Sequence, residues 1–174
     1  SVDQKGFVKS HEFLTQHANQ NNVCFLSQGR YYYDVSGKCE LAYKGNSRGS
    51  AWFDLDNDGD LDVAINDYDG PGRIFENAQD AGNQWIRFQL VGTRSNHDAI
   101  GARVEIQFGD GQKSFSQVVS GKGFLSQNPM ILHFGLGKTK EVDAVIITWP
   151  AGLQQTLKKL PTGKLHIIRE PAKK

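Results

Sequence analysis

The sequence predicts an all-β fold, and three observations lead to that prediction. Apolar residues make up 38% of the chain and aromatic residues 10%, and 19 glycines supply turns, as in a turn-rich globular protein rather than a disordered one. Apolar and polar residues alternate in several short segments, which is the period of a β-strand. No segment shows a convincing long helical period. Short strands at regular spacing are typical of a β-sandwich.

The N-terminal segments are the least regular. Residues 1–20 are polar and weakly patterned, with room for one short amphipathic helix. Val23–Ser27 and Tyr31–Val35 follow as a predicted hairpin around a glycine turn. Lys44–Gly49 is rich in Gly, Asn and Ser and is predicted to be a loop.

Two predicted strands, Ser50–Phe53 and Leu61–Asn66, then enclose an acidic segment. A turn at Asp69–Gly72 leads into a short strand at Arg73–Asn77. Tyr31–Tyr33 and Trp52 offer surfaces for sugar stacking, but aromatic residues that alternate on strands more often belong to a core, so we expect them there.

The pattern becomes more regular after residue 80, where we place a domain boundary. Gly109–Gly111 predicts a hairpin turn between two of the strands. The predicted strands of this half are Ile86–Leu90, Val104–Phe108, Phe115–Val119, Ile131–Phe134, Val142–Trp149 and Lys164–Arg169.

The acidic segment predicts a calcium site. Seven of the thirteen Asp residues fall between Asp54 and Asp69, and such a density of like charge is costly unless a cation neutralises it. Carboxylates at alternate positions followed by a glycine suit a hard cation that takes six to eight oxygen ligands at flexible geometry. The expected side-chain ligands are Asp54, Asp56, Asp58 and Asp62. The backbone carbonyl of Asp60 is the fifth expected ligand.

The segment begins like an EF-hand loop but ends differently. Ile65 stands where an EF-hand has its bidentate Glu, and strands rather than helices are predicted on both sides. Asp62 is therefore expected to close the site. A solvated acidic turn is the alternative, but it would not need the alternate spacing or the central Gly59.

Charge and hydropathy exclude other classes of protein. The formal net charge is +1, and the basic residues outside the acidic segment are spread thinly, without the aromatic-interleaved stripe of a nucleic-acid interface. No apolar run reaches the length of a membrane span. We expect no nucleic-acid partner and no insertion into a membrane.

The two cysteines, Cys24 and Cys39, flank the predicted hairpin. A pair of free thiols is one interpretation. A calcium loop without the final Glu suits the millimolar calcium of extracellular fluids, where disulfides persist, and this favours a Cys24–Cys39 disulfide.

Two stretches of the chain resemble known families. Arg48–Asn66 looks like an FG-GAP (VCBS-type) repeat, the calcium-binding blade of β-propellers, and Asn22–Leu26 and Tyr32–Ser36 resemble the strands before that loop. From Trp85 onward the chain resembles the ASPIC/UnbV domain of the cartilage acidic protein-like family. The segments that carry this second resemblance are Val91–Thr93, Asp98–Val104, Ser120–Gln127, His133–Gly137 and Trp149–Gly152.

The resemblance implies one propeller-blade-like β unit followed by a β-sandwich domain. The corresponding divisions are an N-terminal extension at 1–21, the blade at 22–80, the sandwich at 81–171 and a tail at 172–174. Proteins of this kind usually carry several such blades, whereas this chain has one calcium loop, and one blade cannot close a propeller. The chain is then either a piece of a longer protein or a reduced member of the family.

The resemblance implies an adhesive or binding role and Ca²⁺, but no reaction. We expect a module at the cell surface, outside the cell or in the periplasm, that contacts a protein or a glycan. A structural or accessory subunit of a larger assembly, joined to other copies or other chains through the incomplete blade, is the alternative, and a polysaccharide-active enzyme is a distant third.

No residue supports a catalytic role. His133 is expected to be a hydrogen-bonded structural histidine rather than a base or a ligand. No nucleophile motif surrounds any serine. Possible contacts to a partner are Asp67, Tyr68 and Asp69 after the acidic segment, and Ser126 and Gln127 after a glycine-rich turn.

Overall fold

A computed structural model describes residues 20–78 and 82–172, and these residues form an all-β structure. Within those ranges one 3₁₀-helix, Ser36–Lys38, accompanies the strands and no α-helix occurs. The strands are β1 (Gln20–Asn21), β2 (Phe25–Gln28), β3 (Tyr31–Asp34), β4 (Lys44–Gly45), β5 (Ser47–Phe53), β6 (Asp62–Asp67), β7 (Arg73–Phe75), β8 (Gln84–Val91), β9 (Arg103–Phe108), β10 (Gln112–Gln117), β11 (Leu132–Gly137), β12 (Glu141–Thr148), β13 (Gln154–Pro161) and β14 (Lys164–Arg169).

The described residues group into two compact units. The first takes residues 20–51, 63–75 and 123–125, and the second takes 52–62, 76–78, 82–122 and 126–172. The predicted domain limits remain predictions, but these units divide the chain differently at residues 52–62, 76–78 and 123–125. Residues 52–62, which contain the acidic segment, belong with the second unit because their side chains and backbone contact strands of that unit, as described below.

Three small sheets make up the first unit. β1 pairs with β4, β2 pairs with β3, and β5, β6 and β7 form a three-stranded sheet in that order. The Tyr43 ring stacks on Phe75 with ring centroids 5.9 Å apart, and the Arg73 guanidinium lies 3.9 Å from the Tyr43 ring centroid. Val63 and Ile65 are the buried apolar residues among the described residues of this unit.

The predicted hairpin is confirmed, but the burial of its aromatic residues is not. β2 and β3 are antiparallel, with Phe25 opposite Asp34 and Gln28 opposite Tyr31. All eight strand residues are exposed, including Tyr31, Tyr32 and Tyr33, and Trp52 is exposed as well. The expectation that these rings belong to a core is therefore wrong. No described layer covers the rings of the hairpin, and Trp52, which lies on β5, is 44% exposed.

The prediction of a loop at Lys44–Gly49 is also wrong. β4 and the beginning of β5 occupy this segment, and β4 pairs with β1. The backbone N–H of Tyr68 donates to the carbonyl of Asn46 at 3.0 Å, so the segment is held by hydrogen bonds to distant residues. A segment rich in glycine and polar residues forms a loop only where its backbone has no such hydrogen-bonding partners.

The second unit contains a β-sandwich. One sheet has the order β10-β9-β12-β13 and the other has the order β11-β8-β14, in which β8 and β14 are parallel. Alternate residues of both sheets point into one core, as the period-two pattern predicts. The most completely buried members of this core are Ile86, Phe88, Val104, Ile106, Val142, Val145, Ile147 and Trp149.

Strand β13 was not predicted. Its sequence is rich in Gln and Lys, and Leu157 and Leu160 are three residues apart, which breaks the period of a strand. Both leucines pack against the core, and Lys159 between them has a positive φ of 53°. Pairing with β12 makes the segment a strand. Gln155 also points inward, where its side-chain oxygen accepts a hydrogen bond from the buried Trp149 indole at 3.0 Å.

A buried carboxylate joins the end of β14 to the turn after β8. Glu170 is 2% exposed, and its Oε2 accepts backbone N–H bonds from Thr93, Arg94 and Ser95 at 2.8–3.0 Å. Burial alone would raise the pKa of Glu170, but these bonds, together with one from the Ser95 hydroxyl, outweigh it and lower the pKa to about 2. Glu170 therefore remains ionised and ties the two segments together.

The N-terminal extension at 1–21 lies outside the described residues except for Gln20 and Asn21 of β1. The helix expected in residues 1–20 falls on the part that is not described. Among the described residues, no helix is long and apolar enough to cross a membrane.

Candidate metal centre

The loop between β5 and β6 brings three of the five predicted ligands together. Carboxylate oxygens of Asp54, Asp56 and Asp58 lie within 4.8 Å of one another. Hydrogen bonds within the loop set this shape, since the N–H of Asp58 donates to Asp56 Oδ1 at 3.2 Å and the N–H of Asp60 donates to Asp58 Oδ1 at 2.9 Å. The turn also requires positive φ angles, 67° at Asn57 and 101° at Gly59.

Asp54 is divided between two roles. Its side chain is 2% exposed, and its Oδ2 accepts the N–H of Gly59 at 3.1 Å and forms an ion pair with Arg87 Nη1 at 2.6 Å. Its Oδ1 is buried and has no hydrogen-bond partner in the described part of the chain. A buried carboxylate oxygen without a partner is costly, and a cation among the three carboxylates would satisfy it.

Asp60 shows the electrostatic strain of the loop. Burial raises the pKa of its carboxyl to about 6, and the charges of Asp58, Asp62, Asp56 and Asp54 act in the same direction. Its Oδ1 is also buried, with no hydrogen-bond partner among residues 20–78 and 82–172. The loop therefore holds more negative charge than its protein surroundings neutralise, which is the electrostatic condition for binding a cation.

The structure does not bring Asp62 into the group of three carboxylates. Asp62 is 1% exposed, its Oδ2 accepts the N–H of Leu55 at 2.6 Å, and its Oδ1 accepts the N–H of Asn77 at 2.9 Å. These bonds close the base of the loop. Each oxygen of a carboxylate keeps a second lone pair, so the expected role of Asp62 as a ligand remains a prediction.

Two residues of the sandwich hold the loop from one side. His133 Nε2 donates to the carbonyl of Gly59 at 2.8 Å, which agrees with the expected structural histidine. The Trp85 ring stacks on the His133 ring and lies against Gly59 so closely that a Cβ at residue 59 would overlap the indole. Gly59 is thus required by packing as well as by its φ angle.

Arg87 and Trp85 were not predicted as parts of the site. Arg87 is almost fully buried, and besides its ion pair with Asp54 its Nη2 donates to Asn57 Oδ1 at 3.2 Å while its guanidinium lies 4.7 Å from the Trp85 ring centroid. The alternation of Ile86, Arg87 and Phe88 in the sequence predicts that Arg87 faces solvent. A charged residue on one face of a strand gives no signal of a partner thirty residues away.

The expected interaction residues fall in two places. Asp67, Tyr68 and Asp69 belong to the first unit, where Asp67 is buried and Tyr68 and Asp69 are exposed. Ser126 and Gln127 belong to the second unit, with Ser126 half-buried and Gln127 exposed. No partner is present, and these residues remain predictions.

The cysteine pair does not support the predicted disulfide, since Cys24 and Cys39 are free thiols in this structure. The two side chains are nevertheless neighbours. Burial raises the pKa of the Cys24 thiol, and a hydrogen bond with Cys39 raises it further. The thiols are thus placed side by side, and the raised pKa keeps the Cys24 thiol protonated at neutral pH.

We expect the oxidised pair to form when the protein is exposed to an oxidant. A loop of about 15 residues closed by a disulfide stabilises a protein by about 3 kcal/mol on the chain-entropy model. Mass spectrometry after alkylation in denaturant checks this. Two alkylated thiols after oxidation would contradict the expectation, and a reductant-treated sample is the control.

The C-terminal half of the chain is similar to a known protein family. The protein-family model described as ASPIC and UnbV matches residues 92–174. The described part of this range belongs to the second unit, which contains the β-sandwich, except for residues 123–125. The match supports the ASPIC/UnbV part of the resemblance found in the sequence, while the FG-GAP part, which concerns earlier residues, remains a prediction.

Two curated relatives carry the name cartilage acidic protein 1. The chain is 29% identical to the human protein over 133 residues, which cover 75% of this chain and 20% of that protein. It is 31% identical to the Xenopus tropicalis protein over 111 residues, which cover 62% of this chain and 17% of that protein. The chain thus spans at most about a fifth of the length of these relatives.

Proposed function

We propose that the protein is an extracellular, calcium-binding interaction module that contacts a protein or a glycan, and that it acts by binding rather than by catalysis. The observation that carries the calcium part is the convergence of Asp54, Asp56 and Asp58 around a buried, unpartnered Asp54 oxygen. The similarity to a protein named cartilage acidic protein 1 supports a location outside the cell.

Calcium is the cation that this donor set fits. The available donors are carboxylate and backbone carbonyl oxygens, which hard cations prefer, and no sulfur or imidazole nitrogen is part of the group of three carboxylates. Calcium tolerates irregular oxygen geometry, whereas magnesium requires a near-ideal octahedron. The proposed ligands are the side chains of Asp54, Asp56, Asp58 and Asp62 and the backbone carbonyl of Asp60.

The ion would act by ordering the loop. Burial is the main cause of the raised pKa of Asp60, and neutralising the carboxylates would remove the repulsion that adds to it. The loop is attached to the sandwich through Arg87 and His133. A loop that is already ordered loses less conformational entropy when a partner binds. Calcium would therefore strengthen binding without touching the partner.

A structural or accessory subunit remains the second candidate because of the exposed hairpin. Phe25, Leu26, Tyr31 and Tyr32 are each at least 58% exposed on a two-stranded sheet. Isolated hairpins are marginally stable, and contiguous exposed apolar surface marks contact sites. A calcium-independent self-association that is lost when Tyr32 is replaced by Ser would favour this candidate.

Calcium titration tests the primary proposal. A ligand that binds only the folded state stabilises it by about 2.7 kcal/mol at one hundred times its Kd, which raises the melting temperature of a protein of this size by about 5–10 °C. We expect this rise with CaCl₂ and its reversal by chelator. Isothermal titration should give one site.

Asp56→Asn is the informative variant, because Asp56 is exposed and Asn keeps its shape while removing its charge. We expect at least a tenfold loss of calcium affinity. Asp143→Asn, an exposed acidic residue on β12, is the matched control and should bind calcium normally. A melting temperature that is indifferent to both calcium and chelator would refute the site.

A further inference from the structure

The outer face of the sheet β10-β9-β12-β13 carries an ordered array of side chains that the calcium site does not use. Because the core takes alternate residues, the residues between them point outward in rows across the sheet. Strand register places Arg103 opposite Gln117 and Thr148, with Gln154 beyond, and Glu105 opposite Phe115 and Ile146 in the next row.

These two rows line an open groove with a volume of about 510 Å³. The groove runs across the strands, and three strand spacings give it a length of about 14 Å. We infer that this groove binds an anionic polysaccharide, a glycan chain that carries carboxylate or sulfate groups. The inference rests on the proposed role as a binding module, but it does not depend on calcium.

An exposed aromatic ring suits the apolar face of a sugar. Phe115 is 86% exposed, although burying a ring of this size would stabilise the protein considerably. Its neighbour across the sheet, Glu105, offers an acceptor, and the amides of Gln117 and Gln154 and the hydroxyl of Thr148 supply donors and acceptors for sugar hydroxyls.

The charges of the face favour an anionic ligand. Glu105 is neutralised by Lys113 at 3.0 Å and also accepts a hydrogen bond from Gln107 at 3.1 Å. Arg103 is exposed, and no carboxylate of the described residues forms an ion pair with it. A guanidinium without a counter-ion at the end of the groove suits a carboxylate or sulfate, which it can bind with two hydrogen bonds.

Other occupants fit this face less well. An extended peptide binds a sheet through backbone hydrogen bonds at an edge, and here the backbone groups of β9 and β12 are already paired on both sides. A second copy of the chain would need an apolar centre, but Phe115 and Ile146 are flanked by polar residues. Sugar hydroxyls instead match the side-chain donors and acceptors.

Binding to matched polymers tests the inference. The full chain is titrated, in buffer with EDTA, against polygalacturonate and its methyl ester, and against dextran sulfate and dextran. We expect binding to at least one of the two anionic polymers and to neither neutral polymer, with an affinity that falls as NaCl rises. The anionic polymer that binds shows whether the groove recognises carboxylate or sulfate groups.

Two variants locate the site on the groove. Arg103→Gln should weaken binding by about tenfold and Phe115→Ala by about fivefold, both with unchanged melting temperatures because both side chains are exposed. Arg169→Gln and Ile167→Ala are the matched controls, since they remove an exposed charge and an exposed apolar side chain from β14 of the other sheet.

Three results would overturn the inference. They are an absence of binding to both anionic polymers, equal binding to neutral and anionic polymers, and equal losses of affinity in groove and control variants. Because EDTA is present throughout, a failed calcium titration leaves this result unaffected. Binding that appears only when calcium replaces EDTA would contradict the groove and support the acidic loop as the contact instead.

Discussion

Replacing Arg87 by Met should lower the free energy of unfolding by about 3–5 kcal/mol when calcium is removed by chelator. Arg87 and Asp54 form a buried ion pair, and removing one partner leaves the other as an uncompensated buried charge. The change also removes the hydrogen bond to Asn57 and the contact with the Trp85 ring. Urea unfolding of both proteins in chelator measures the loss.

Calcium should restore part of this stability. If Asp54 is a ligand, the ion supplies the positive charge that Arg87 no longer provides, so the stabilisation by calcium should be larger in Arg87→Met than in the natural protein. Arg103→Met is the matched control because Arg103 is exposed and forms no ion pair with the described carboxylates. Equal calcium stabilisation in all three proteins would contradict a role for Asp54.

Replacing Glu170 by Gln should cost about 3 kcal/mol at pH 7. The pKa of Glu170 is lowered from an ordinary value of 4.5 to about 2 by its hydrogen bonds, and this difference corresponds to about that free energy. Gln keeps the shape but loses the charge, and its NH₂ group can face the N–H donors of Thr93, Arg94 and Ser95. Glu141→Gln, an exposed glutamate on β12, is the control.

The pH dependence has a definite sign. Since the folded pKa of Glu170 is depressed, its contribution is complete above about pH 4.5 and is lost as the pH falls toward 2. Asp60 acts in the opposite direction in chelator, because its raised pKa favours folding as the pH falls below about 6. Unfolding at several pH values should show that Glu170→Gln reduces the loss of stability below pH 4.5 and leaves the behaviour near pH 6 unchanged.

The sequence determined the all-β class and the sandwich. Alternation at Ile86, Phe88 and Leu90, and again at Val104, Ile106 and Phe108, identifies core faces because every second residue of a strand points the same way. It also determined the acidic loop, since the spacing of Asp54, Asp56 and Asp58 is local. Residues this close in the chain can come together through the conformation of the loop alone.

Only the tertiary structure decided which residues support that loop. Arg87 and His133 lie 33 and 74 residues from the loop residues they contact, Asp54 and Gly59, and their own segments show nothing beyond a strand pattern. Glu170 likewise meets Thr93 across 77 residues. Strand β13 exists because β12 offers it a pairing edge, not because its Gln- and Lys-rich sequence favours a strand. Local periodicity reports which face of a segment is buried, whereas partners distant in the chain are set by how the sheets pack.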